Sequence, residues 1–190
     1  MKIGLYFGSF NPIHLGHVAL SDYLLKHTDL EQCWFVVSPQ NPLKVNNVLA
    51  DDELRLQMVE LAITDKPKMK ACDVEFFLPK PSYTIDSLLY LSDKYPEHDF
   101  TLIIGADNLH IFNQWKNYQY ILDNYRILVY PRQGFDFFSE KQYKNVKCVN
   151  APLYNISSTF IRESIKNGND VSEFLHPSVM DFIKKNKLYL

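Results

Sequence analysis

Two histidines three residues apart, His14 and His17, stand in the stretch Gly8-Ser9-Phe10-Asn11-Pro12-Ile13-His14-Leu15-Gly16-His17. An apolar run, Ile3-Gly4-Leu5-Tyr6-Phe7, precedes it, and a helical pattern carrying Leu20, Tyr23 and Leu24 follows. The order reads as strand, glycine-bearing turn and helix. Such a turn leaves unpaired backbone N–H groups and the positive end of a helix dipole at one point, which suits a phosphate. At a spacing of three, two imidazoles on the first turn of a helix share a face and stand beside the same anion. Without side chains, Gly8 and Gly16 let a ligand or a neighbouring strand approach the backbone closely.

A second anion-binding pattern lies near the C-terminus. Ile156-Ser157-Ser158-Thr159-Phe160-Ile161-Arg162 presents three hydroxyls at a predicted helix start, and any of them can cap it. With Ser158 as the cap, the third helical position is Ile161, so no capping box forms. Arg162 then falls in the first turn, where the dipole disfavours a cation, and an arriving phosphate removes the conflict. Two anion sites fit a nucleoside triphosphate.

The elements that must position these groups alternate between strand and helix. After the first helix, Cys33-Trp34-Phe35-Val36-Val37-Ser38 is a continuous apolar run of the kind found in a buried parallel strand. A polar loop spans Gln40 to Ala50, and Asp51 or Asp52 can cap a helix with Leu54, Met58, Leu61 and Ala62 on one stripe. Met69 to Leu78 is strand-like and ends at Pro79 and Pro81, before Ser82-Tyr83-Thr84 opens a helix bearing Ile85, Leu88 and Leu89.

Phe100 to Ile104 predicts a buried strand closing on Gly105, and a helical pattern then runs through Leu109 and Phe112 and continues from Tyr118 to Leu122. Arg126 to Tyr130 is the next strand and Val146 to Val149 a short last one, followed by helices from about Thr159 to Lys166 and Ser178 to Lys185. This alternation predicts an α/β, Rossmann-like doubly wound fold: a mainly parallel sheet, helices on both faces, and a small C-terminal helical segment from about 156 to 190. The whole chain, 1–190, is expected to be one domain. In such sheets the ligand lies beyond the carboxyl ends of the strands. The glycine-histidine turn, the Pro39–Lys44 loop, Gly105-Ala106-Asp107 and Pro131-Arg132 are therefore expected to gather at one edge.

Composition narrows the classes. The 190 residues are 46% hydrophobic and 22% charged, with a formal net charge of −2. That balance gives no general electrostatic reason to bind nucleic acid or an anionic membrane, so a nucleotide must be held by a local site. No apolar run approaches a membrane span and the start lacks the pattern of a signal peptide, so the expected location is the cytoplasm. Cys33, Cys72 and Cys148 lack the spacing of a disulfide framework or a zinc site and read as free thiols. The sequence leaves a homo-oligomer open.

The stretch from Gly8 to His17 resembles the HxGH signature of the nucleotidyltransferase superfamily, and Ile156–Arg162 matches its ISSTxxR pattern. Ser82-Tyr83-Thr84-Ile85-Asp86-Ser87-Leu88 and Gly105-Ala106-Asp107 with Trp115 look like the bacterial nicotinate mononucleotide adenylyltransferases. That resemblance implies adenylyl transfer from ATP to nicotinate mononucleotide, giving nicotinate adenine dinucleotide and pyrophosphate, with Mg2+ accompanying ATP and no dedicated metal ligands. It implies that Gly8, Ser9, Phe10, His14, Gly16, His17, Gly105, Asp107, Arg132, Ser157, Ser158, Thr159 and Arg162 hold ATP. Asn11, Lys44, Tyr83, Thr84 and Trp115 would hold the acceptor, with Trp115 stacked on the pyridine ring and Thr84 at its carboxylate.

His14, His17, Lys44 and Arg162 are then the catalytic candidates. Leu43 stands where many members of the family have histidine. No covalent nucleophile is required, because the acceptor phosphate is already anionic.

Phosphopantetheine or nicotinamide mononucleotide as acceptor, and a non-catalytic nucleotide sensor, remain as alternatives. Class I aminoacyl-tRNA synthetases share a histidine-glycine-histidine signature. The length, the lack of a basic balance and the absence of a KMSKS-like loop near the C-terminus point away from them, and Lys66-Pro67-Lys68-Met69-Lys70 comes too early to serve.

Overall fold

A computed structural model describes residues 1–39, 49–135 and 143–190. Among these, six strands form one all-parallel sheet in the order β3-β2-β1-β4-β5-β6. The strands are β1 (Lys2–Gly8), β2 (Gln32–Val37), β3 (Met69–Cys72), β4 (Asp99–Gly105), β5 (Arg126–Tyr130) and β6 (Val146–Cys148). The helices are α1 (Leu15–His27), α2 (Asp52–Ala62), α3 (Thr84–Lys94), α4 (Ala106–His110), α5 (Tyr118–Asn124), α6 (Ser158–Lys166) and α7 (Pro177–Lys185).

The winding reverses between β1 and β4, and this distributes the helices over two faces. Inward side chains of α1, α2, α6 and α7, among them Leu24, Met58, Ile161 and Val179, pack with Tyr6, Phe35, Ile103 and Leu128. On the other face Ile85 and Leu88 of α3, Leu109 of α4 and Ile121 of α5 pack with Leu5, Val36, Leu102 and Ile127. Alternate residues of each strand serve opposite faces, so the strands are apolar on both sides and read as continuous runs. The crevice beyond the β1 and β4 carboxyl ends, where helices diverge to opposite faces, is left open.

Three local expectations are corrected. The strand expected from Met69 to Leu78 ends at Cys72, and Val74–Phe76 form a 3-10 turn. The turn buries Glu75, whose carboxylate accepts a hydrogen bond from the Ser87 hydroxyl at 2.9 Å, and leaves Phe77 76% exposed. The helical pattern after Gly105 is broken into α4, a 3-10 turn at Phe112–Gln114, and α5. Trp115 is extended and Asn117 takes a left-handed conformation at φ 52°, which turns the backbone between the pieces.

The third correction concerns the start of α6. Ser157, not Ser158, is its cap, accepting from the Phe160 N–H at 3.1 Å. Arg162 is therefore the fifth helical residue rather than a first-turn cation. Asp51 caps α2, as one of the two aspartates was expected to.

Candidate active site

The turn between β1 and α1 is a knot of contacts. Phe10 sits at φ 44°, a left-handed conformation that costs a bulky residue about 1–3 kcal/mol and persists only where its surroundings hold it. Its ring is buried and packs edge-on to Tyr6, His17 and Phe35. A Cβ at Gly8 would come within 2.9 Å of the Phe10 ring, and one at Gly16 within 3.1 Å of His14 Nδ1. The space left by these glycines is thus taken by the turn's own side chains.

His14 caps α1 and His17 follows three residues later. Their rings are stacked, with centroids 3.6 Å apart and planes 19° from parallel. His17 Nδ1 accepts a hydrogen bond from the His14 backbone N–H at 3.2 Å, which fixes that ring. His14 Nδ1 is buried without a hydrogen-bond partner among the described residues. Burial and then the Arg132 charge push the His14 pKa down to about 3. Burial, His14 and Arg132, in that order, hold His17 well below the usual histidine range. Two neutral imidazoles facing a cation are poised for an anion.

The C-terminal pattern arrives beside them. Ser158 Oγ donates to the Pro12 carbonyl at 2.9 Å, and Arg162 Nη1 to the Asn11 carbonyl at 2.8 Å. Arg162 Nη2 also reaches Thr159 Oγ1 at 3.3 Å. The Arg162 guanidinium is therefore satisfied by a carbonyl of the turn. Asn11 Oδ1 accepts from the Ala50 N–H at 3.1 Å and from the Tyr189 hydroxyl at 2.8 Å, so the chain's last residues also brace this turn.

Across the crevice, α3 starts at Thr84 with Tyr83 in the cap position and no side chain capping its N–H groups. Ser82 Oγ and Trp115 Nε1 are buried without partners among the described residues. Trp115 leans on Phe112 at 4.9 Å, and Lys116 lies 4.6 Å above the Tyr83 ring while pairing with Asp86. Asp107 sits in the first turn of α4, with Oδ1 3.6 Å from Arg132 Nε. Arg132 Nη2 donates to the Tyr130 hydroxyl at 3.3 Å.

A cleft of about 350 Å³ joins these groups: Gly8, Ser9, Phe10, His14 and His17 on one wall, Ser82, Tyr83, Thr84 and Trp115 on another, and Gly105, Asp107, Arg132, Ser157, Ser158, Thr159 and Arg162 closing it. A second cleft of about 490 Å³ continues past Gly16, Arg132 and Tyr154. Gly16 lines only this second space, while Asn11 lies behind the first as a brace. Lys44, with Leu43 and most of the Pro39–Lys44 loop, lies outside the described residues.

Two buried charges escaped the sequence reading. The stripe expected on α2, Leu54, Met58, Leu61 and Ala62, holds at Met58 and Ala62, while Arg55 and Val59 complete the buried face in place of Leu54 and Leu61. Glu75 falls inside the stretch expected as strand, Met69 to Leu78. An arginine one turn after paired aspartates was the available signal for the first, and nothing local marks the second.

The cytidylyltransferase-like family model matches residues 5–164, most of the chain. A probable nicotinate-nucleotide adenylyltransferase of Flavobacterium psychrophilum is 47% identical over 191 residues, covering 100% of this chain and 99% of the relative. One from Cytophaga hutchinsonii is 49% identical over 189 residues, with coverage of 100% and 98%. The chain belongs to the nicotinate-nucleotide adenylyltransferase family. The solved Plasmodium falciparum nicotinic acid mononucleotide adenylyltransferase, in complex with NaAD, shares this enzyme family's fold with the present chain at a TM-score of 0.83. It is 22% identical, with 99% and 97% of the two chains covered.

The nucleotidyltransferase family expectation and the Rossmann-like sheet drawn from sequence both stand. No helix among the described residues is long and apolar enough to cross a membrane.

Proposed function

We propose that this chain transfers the adenylyl group of ATP to nicotinate mononucleotide, releasing pyrophosphate and nicotinate adenine dinucleotide, in the cytoplasm. The observation that carries the proposal is one cleft with two unlike walls. The stacked His14 and His17 with Ser158, Thr159 and Arg162 suit a polyphosphate, and the uncapped start of α3 beside Trp115 suits a flat ring bearing a carboxylate. The names of the full-length relatives support the same reaction.

The protein's task is alignment and charge stabilisation. The acceptor phosphate attacks the α-phosphorus, its P–O bond forming as the bond to pyrophosphate breaks and the electron pair leaves with pyrophosphate. His17 is assigned to the transferred group and His14 to the departing pyrophosphate. Ser157, Ser158, Thr159 and Arg162 take the β and γ phosphates, with Arg162 exchanging its bond to Asn11 for phosphate oxygen. Lys44 is assigned to either substrate's phosphate. Asp107 accepts from ribose hydroxyls, and Arg132 reaches the adenosine half.

Thr84, Tyr83 and the first N–H groups of α3 receive the nicotinate carboxylate while Trp115 stacks on the ring. Mg2+ comes as part of the ATP substrate, held largely by its phosphates and water. A panel of acceptors with ATP and Mg2+, read by pyrophosphate release, tests the proposal. Nicotinate mononucleotide is expected to be the preferred acceptor. Preference for phosphopantetheine or nicotinamide mononucleotide, or ATP binding without product from any acceptor, would overturn it.

A further inference from the structure

Arg55 is fully buried in α2, at 0% exposure, and lies outside the cleft. Burying a guanidinium costs several kcal/mol unless its N–H groups are satisfied. Here they are. Nε donates to the Ala50 carbonyl at 2.9 Å and Nη1 to the Ser38 carbonyl at 2.8 Å; Nη1 also donates to the Ser9 carbonyl. Nη2 reaches the Pro39 carbonyl at 3.4 Å and pairs with the Asp52 carboxylate. A guanidinium carries five N–H donors in a rigid fork, so the side chain is saturated, mainly by backbone carbonyls.

Those carbonyls come from three separate stretches. Ser9 belongs to the phosphate turn, immediately before the left-handed Phe10. Ser38 and Pro39 follow the carboxyl end of β2. Ala50 precedes α2, and its N–H in turn donates to Asn11 Oδ1. An apolar side chain of similar volume would fill the same space at lower desolvation cost, but it would leave carbonyls of three loops converging on nothing. The fork fixes where those loops stand relative to one another, and one of them holds the ATP-facing turn.

We propose that Arg55 is a positioning residue for adenylyl transfer: by holding Ser9, Ser38–Pro39 and Ala50 on one guanidinium, it sets the turn that aligns the triphosphate. This rests on the adenylyl-transfer reading above. Arg55 touches no substrate. It acts through the Ser9 carbonyl, and Asn11 is set through Ala50. Arg162 and Ser158 hold the Asn11 and Pro12 carbonyls of the same turn, so Phe10 lies between held carbonyls on both sides.

The test is Arg55→Lys in the full chain, with kcat, both KM values and the melting temperature measured together. Lysine keeps the charge but has a single donor nitrogen and cannot span three loops. The expected result is a kcat lowered roughly tenfold or more, since a misplacement near 1 Å costs up to about 10²-fold. Both KM values should stay within about threefold, at temperatures where circular dichroism shows the variant folded. A lowered melting temperature with wild-type kcat and KM would make Arg55 merely structural and overturn the proposal.

If Arg55→Lys does not fold, Arg55→Met decides. Arg55→Met fills the same space at lower desolvation cost but holds none of the carbonyls, so a kcat lowered at KM values within about threefold supports the proposal, while wild-type kcat and KM overturn it. The wild-type protein run in parallel separates the two claims. Absence of dinucleotide from wild type defeats the adenylyl-transfer reading, whereas an active wild type with an unimpaired variant defeats only the role of Arg55.

Discussion

His14 and His17 lie face to face with ring centroids 3.6 Å apart, both buried into neutrality beside the cation of Arg132. Stacked neutral rings cannot repel one another as imidazoliums would, and each can become cationic when phosphate arrives. Buried neutral rings of this kind gain a proton when an anion is brought against them.

ATP binding is accordingly expected to raise both histidine pKa values, because the polyphosphate charge opposes the effects that depress them. At pH 6 binding should take up protons from solution. Calorimetric titration in two buffers of different ionisation enthalpy measures this directly. Equal binding enthalpies in both buffers would contradict it, and His14→Asn should diminish the uptake.

The same depression sets an acid limit on stability without ligand. Above about pH 6.5, the usual histidine value, folded and unfolded chains both hold neutral rings and these residues contribute no slope. Below it the unfolded chain binds protons that the folded one refuses, so stability falls as pH falls. For His14 this continues to its folded value of about 3. Each ring adds a slope approaching 1.4 kcal/mol per pH unit. Urea unfolding at pH 7 and pH 5 should show a larger loss for wild type than for His14→Asn.

His17→Ala should lower kcat by roughly 10²-fold or more, the usual effect of removing a preorganised donor to developing charge. Thermal unfolding should change far less, because Tyr6, Phe10 and Phe35 still pack together. Turnover near the wild-type rate would sink the assignment of His17 to the transferred group.

Trp115→Ala removes the flat face from the acceptor wall. Ring stacking contributes about 0.5–1.5 kcal/mol, so the KM for nicotinate mononucleotide should rise several-fold. The KM for ATP should stay close to wild type. Steady-state kinetics with each substrate varied in turn separates the two, and an equal rise in both would place Trp115 in the scaffold instead.

Sequence and structure meet most closely where chemistry depends on local order. The strand-turn-helix around His14, the parallel strands and the cleft position of Thr84 and Trp115 were legible because periodicity and short motifs encode them. Arg55 was not legible, since its acceptors are mostly backbone carbonyls, which leave no signature in residue types. Nor was the brace between Tyr189 and Asn11, a hydrogen bond between residues 178 apart in the chain.

Burial of Glu75 also depends on a tertiary partner, Ser87 on α3, and only the fold reveals it. The hydroxyl-rich helix start at Ser157–Arg162 is legible in the sequence, but its tertiary partners are not. Ser158 and Arg162 hold the Pro12 and Asn11 carbonyls across about 150 residues of sequence.

The most direct measurement follows a radiolabel at the α-phosphorus of ATP, with nicotinate mononucleotide and Mg2+ present. The account predicts that the label appears in nicotinate adenine dinucleotide while unlabelled pyrophosphate is released in equal amount. Label that remains in ATP, or leaves as free AMP without entering the dinucleotide, would contradict it.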